Sequence, residues 1–146
     1  MSNLFTRLEE LSTQLNESSD SLSESIKRVE AKLASLRLGV SVWVEDATID
    51  TERCVSREGD VEGEIYIRLG YTKIDGKWCL AIGDEKNNFQ RGYMEEGYKL
   101  LPLLQAPREH RVRALQLIPR LIKALEAGAE AELKAVQSVT DISNTV

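Results

Sequence analysis

The chain has 146 residues, with 19 Lys plus Arg against 24 Asp plus Glu for a net charge of −5, and 42% hydrophobic but only 5% aromatic residues. That length suits one domain, the hydrophobic fraction is too high for a disordered chain, and no apolar run approaches the ~18 residues of a membrane helix. Two cysteines and one histidine exclude a disulfide framework and most zinc or triad chemistries, and MSNLFTRLEELS lacks the apolar core of a signal peptide, so a cytoplasmic, disulfide-free chain is expected.

In chain order, residues 1–38 form the first unit. Leu4, Leu8, Leu11, Leu15, Ser18 and Leu22 step by alternating four and three, and Ile26, Val29, Leu33 and Leu36 continue the pattern. This is the heptad seam of a coiled coil, with a stutter where Leu22 to Ile26 repeats a step of four. A rival reading breaks the helix between Asn16 and Ser25, where five serines lie from Ser18 to Ser25, and restarts it at residue 22 behind Ser21 as a helical hairpin. The absence of glycine or proline and the in-phase stripe favour one helix over 3–38. Such a rod spans roughly 50 Å, more than so small a domain covers. A second copy is the simplest partner, so Leu4, Leu8, Leu11, Leu15, Leu22, Ile26, Val29, Leu33 and Leu36 are the expected homo-oligomer interface. Gly39 is expected to end the helix in a left-handed conformation.

Residues 39–104 read as a small antiparallel sheet holding the acidic excess: seven basic against thirteen acidic side chains over 39–97. Val40 to Glu45 alternates with period two, placing Val40, Val42 and Val44 on one face and Trp43 on the other. Residues 45–64, with eight acidic and two basic side chains, read as an excursion with a short strand near 47–51. Asp60, Glu62 and Glu64 lack the order of a calcium loop. Asp75-Gly76 is a type I′ signal for a hairpin of 64–74 with 77–82. The implied register pairs Lys73 with Trp78, Tyr71 with Leu80 and Leu69 with Ile82 on one face. Thr72 pairs with Cys79, and Gly70 with Ala81, on the other. Residues 84–97 read as a polar loop, and 98–101 as a short strand.

Residues 105–146 read as a C-terminal helix that starts with Pro107 at its first position and is kinked or restarted at Pro119. Val112, Leu115, Ile118, Leu121 or Ile122, Leu125, Ala129, Leu133 and Val136 keep helical spacing. Ala124 to Ala135 is alanine-rich around Gly128, where another element can approach closely. The fold class is therefore α+β.

Arg108, His110, Arg111 and Arg113 crowd the first turns of that helix, a pattern that suits an anion because free N–H groups and guanidinium groups converge there. The alternative is a solvated face, or pairing with the acidic middle segment or with Glu109. Broad nucleic-acid binding is disfavoured by the charge of −5. Trp43 and Trp78 read as core or interface groups, with Lys73 placed for a cation–π contact to Trp78. Cys54 reads as an exposed thiol and Cys79 as a buried one. No phosphate loop, GxSxG, HExxH or CxxC occurs, so no metal, cofactor or catalytic residue is assigned. The expected role is a non-catalytic, homo-oligomeric interaction protein. A small-anion binding module is the second reading, and a small enzyme using carboxylates or His110 the third.

Overall fold

The computed structural model describes residues 3–88 and 93–145, with side chains for 4–86 and 99–145. It is an α+β fold: a long N-terminal helix, a five-stranded antiparallel sheet and a broken C-terminal helix. Helix α1 runs unbroken over Asn3–Leu36. It stops two residues short of the expected end because Arg37 already takes the left-handed conformation at φ 51°, its N–H bonding the Ala34 carbonyl at 3.2 Å. Gly39, at φ 63°, is the second left-handed residue and turns the chain into the sheet.

Strands β1 (Val42–Trp43) and β2 (Asp50–Val55) both pair with β3 (Val61–Ile74). Beyond β3 lie β4 (Lys77–Asn88) and β5 (Tyr93–Pro102). Asp75 and Gly76 have φ of 50° and 79°, as a type I′ turn demands, and the turn fixes the expected register pair for pair from Ile74↔Lys77 to Leu69↔Ile82. Two expectations need correction. The strand expected near 47–51 lies at 50–55, paired with 61–67. The expected polar loop 84–97 is largely strand, since β4 and β5 stay paired from Pro102 out to Asn88↔Tyr93. Polarity misled there because the ribbon is held by backbone hydrogen bonds, which persist without apolar alternation along the strands. The Phe89–Gly92 part of that expectation lies outside the described residues.

One face of the sheet is the core face. Ile67, Leu69, Tyr71, Leu80 and Ile82 are buried against Ile26 and Leu33 of α1 and Leu103 of a single 3₁₀ turn. They also meet Ala114 of α2 (Arg108–Gln116) and Leu121 and Leu125 of α3 (Ile118–Asn144). The expected C-terminal helix is two helices. Pro119 has no N–H to bond the Leu115 carbonyl, and the chain restarts at Leu117, which sits at φ −94°, ψ 0°. Pro107 is the N-cap of α2, one position ahead of the expected one, at ψ 151°. Gly128 lets β1 approach α3, since a Cβ there would lie 2.9 Å from both Val40 Cγ1 and Val42 Cγ1.

Where β5 ends opposite Ala81, the β4 edge continues without a strand partner, and α1 covers it. The Leu80 N–H donates to Glu30 Oε1 at 3.1 Å. Burial raises the Glu30 carboxyl pKa above its ordinary value, opposed by that hydrogen bond and by Lys77.

Candidate functional site

The expected anion cluster does not converge. Arg111 turns toward α1 and donates to Ser23 Oγ at 2.6 Å and Ser19 Oγ at 2.9 Å. His110 Nε2 lies 3.3 Å from Asp50 Oδ2. Arg113 reaches Gln116 on its own helix at 3.4 Å, and Arg108 is exposed. With Arg120 on Asp46 at 2.7 Å, two basic side chains of the C-terminal region meet the acidic segment, one of the alternatives the sequence left open. The physical reason is geometric. At about 100° per residue, positions 108, 110, 111 and 113 are separated by about 200°, 100° and 200°, so Arg111 faces α1, His110 faces β2, and Arg108 and Arg113 face solvent.

The serine-rich stretch of α1, which looked like a possible break, is where Arg111 docks. Serine suits a helix that must approach an arginine, because its short hydroxyl accepts a hydrogen bond without pushing the helices apart. Ser25 also donates back to the Ser21 carbonyl at 3.1 Å, which keeps that hydroxyl satisfied within the helix.

From Ser19 onward α1 is tied to the rest of the chain, whereas residues 4–18 are exposed apart from half-buried Leu11. Leu4 is 82% and Leu8 59% exposed, with Phe5 and Leu15 also open to solvent. The expected interface is therefore split. Ile26 and Leu33 are 0% and 4% exposed inside the chain's own core, with Val29 packed against it, and they are unavailable to a second copy. The uncovered seam is Leu4, Leu8 and Leu15, with Leu11 and Leu22 half-buried. Leu36 lies exposed at the far end. Helix α3 overhangs too: every residue from Glu130 to Thr145 is exposed, Leu133, Val136, Val139 and Ile142 included.

The second face of the sheet carries a different feature. Trp43 sits opposite Gly70 and lies across β3 and β4. A Cβ on Gly70 would come within 2.6 Å of Trp43 Cδ2 and Cζ3, and one on Gly83 within 2.9 Å of Cζ3. Beside the indole, Arg68 Nε donates to Glu85 Oε2 at 2.7 Å and its Nη1 to the Glu45 carbonyl at 2.7 Å, with longer contacts to the Val44 and Ala47 carbonyls. The guanidinium also stands 5.6 Å from the centroid of the Tyr66 ring. The expected Lys73–Trp78 contact is replaced by this one, and Trp78 stacks on Tyr71 at 5.5 Å. Trp43, Arg68, Glu45 and Leu100 border a cavity of about 570 Å³. Sequence reasoning missed Arg68 altogether. The available signal was glycine within the strand interiors at 70 and 83, which marks close approach of another group.

Cys79 is buried and its thiol pKa is raised by burial, whereas Cys54 is half-buried, less open than expected. Among the described residues no group of three His, Cys, Asp or Glu side chains could hold a metal ion, and no helix is long and apolar enough to cross a membrane. Comparison with family models, curated proteins and solved structures finds no match to the chain.

Proposed function

We propose that the chain is a non-catalytic, self-associating interaction module whose N-terminal helical overhang pairs with a second copy of itself. One observation carries this reading. Leu4, Leu8, Leu11 and Leu15 keep heptad spacing on a stretch of α1 that the chain's own core leaves uncovered. Helix 3–18 reaches about 24 Å, and a helix that short is marginal in water without a partner to bury its apolar face. A 3.5-residue period selects another helix of the same period, and a second copy supplies it by construction. Both cysteines are free thiols, which supports a reducing, cytoplasmic setting.

Sedimentation of the purified chain at micromolar concentration tests the proposal. The expected species has twice the 16.4 kDa chain mass, and Leu8→Glu with Leu15→Glu is expected to yield a folded monomer. A compact monomer of the unaltered chain overturns the reading.

A further inference from the structure

We propose that the cavity beside Trp43 binds a small organic cation, an ammonium or amidinium group carried on an apolar body. The cavity, about 570 Å³, lies in the size range of small-molecule sites, which combine apolar walls with a few placed polar groups. Its lining fits that description: the Trp43 indole and Leu100 supply apolar surface beside the charged side chains.

The charges around it select the ligand. Arg68 and Glu85 pair at 2.7 Å, both side chains being only about one-fifth exposed, so each cancels the other. Asp84, whose pKa is raised by burial with Lys99 acting in the opposite direction, and Lys99 also line the cavity. Glu45 is left over. Among the described residues its carboxylate has no ion-pair or hydrogen-bond partner, while its carbonyl is held by Arg68 at 2.7 Å. The backbone that carries this unbalanced carboxylate is thus fixed at the rim, next to an indole. An aromatic face and a carboxylate are the two groups that recognise an organic ammonium. A neutral molecule would use only the wall, and an anion would meet a lining whose charged side chains, Glu45, Asp84 and Glu85 against Arg68 and Lys99, leave one negative charge in excess.

The site is also preformed. The two glycines seat the indole flat against β3 and β4, and four acceptors hold Arg68, so little ordering is left for binding to impose.

Calorimetric titration of the full-length chain with phenethylamine, phenethyl alcohol and 3-phenylpropionate provides the test, with the Trp43 indole N–H followed by NMR. Phenethylamine is expected to bind about tenfold tighter than the alcohol, in the range of a cation–π contact joined to a carboxylate, and to move the Trp43 signal. The propionate is expected not to bind. Glu45→Gln, at an exposed position, is expected to erase the preference for the amine while leaving the far-UV spectrum unchanged. Equal binding of amine and alcohol overturns the proposal, as does a Trp43 signal unmoved at millimolar amine, or an amine preference that survives Glu45→Gln.

Discussion

Replacing Gly70 by alanine places a methyl group where the Trp43 ring now lies. The new Cβ would stand 2.6 Å from Trp43 Cδ2 and Cζ3, against the roughly 3.5–4.0 Å at which carbon atoms rest in contact. The ring must therefore retreat by an ångström or more. Strand β3 cannot give way instead, because it is paired with β1, β2 and β4. Overpacking of this kind costs about 1–3 kcal/mol. An indole that loses about 100 Å² of its contact area forfeits about 2.5 kcal/mol at 25 cal/mol per Å², so the two routes to relief cost about the same. Alanine otherwise suits a strand better than glycine by about 0.5–1 kcal/mol. The expected net loss is about 2 kcal/mol in the native background, whereas in a Trp43→Ala background the same substitution should be neutral or slightly stabilising. Urea unfolding followed by far-UV circular dichroism, which does not depend on the indole, measures all four proteins of the cycle. If Gly70→Ala costs as much without Trp43 as with it, the close approach of the ring is not what requires glycine there.

The two halves of α1 should separate in their response to truncation: Ile26→Ala is expected to lower chain stability by about 2–5 kcal/mol, and Leu8→Ala by under about 0.5 kcal/mol, with denaturant unfolding at low protein concentration as the readout. Ser19→Ala with Ser23→Ala leaves the Arg111 guanidinium without its acceptors and is expected to cost about 1–3 kcal/mol, seen also as faster proteolysis within residues 3–36. Because burial raises the Glu30 pKa in the folded chain, its contribution to stability is full below the unfolded value and is lost as pH rises through the folded one. Glu30→Gln retains an acceptor for the Leu80 N–H, so its unfolding midpoint relative to the native chain should climb as pH is raised from about 4.5, near the unfolded value, toward neutrality. A difference independent of pH would show that the charge of Glu30 is not what burial opposes.

The parts of the fold legible in the sequence were those in which local chemistry and long-range packing agree. Asp75-Gly76 set the hairpin, and alternation through Leu69 and Tyr71 set the same register. Pro119 marked the break between α2 and α3 for a purely local reason, its missing N–H. The outer ribbon was not legible. Its strands owe their pairing to backbone hydrogen bonds propagated from the core, and such bonds leave no hydrophobic period. The cluster at 108–113 misled in the opposite way. Adjacency in sequence put four basic side chains together, but helical geometry sent Arg111 to Ser19 and Ser23 and His110 to Asp50. The Trp43 cavity draws on residues 43, 45, 68, 83 and 100. These meet only through strand register, so no local motif announces them.

Under the proposed self-association, the stutter in α1 is what would let one helix serve two partners. Each residue turns the helix by about 100°, and a second consecutive step of four in place of a three adds half a residue to the heptad average. The apolar stripe after Leu22 is therefore rotated by about 50° from the stripe before it. A single partner surface that follows Leu4 to Leu15 would run off Ile26 to Leu33, and the reverse holds as well. The structure places the change of environment at that point: Ile26 and Leu33 enter the chain's own core, while Leu4, Leu8 and Leu15 stay exposed. Arg111 grips Ser19 and Ser23 on either side of Leu22, fixing the helix where the stripe changes direction. Inserting three residues between Leu22 and Ile26 would restore the alternation of four and three and bring both stripes into one line. That helix could no longer present the first stripe to a second copy at the present angle while keeping Ile26 and Leu33 buried. Loss of either self-association or core stability is the expected result, and sedimentation beside urea unfolding distinguishes which stripe holds its position.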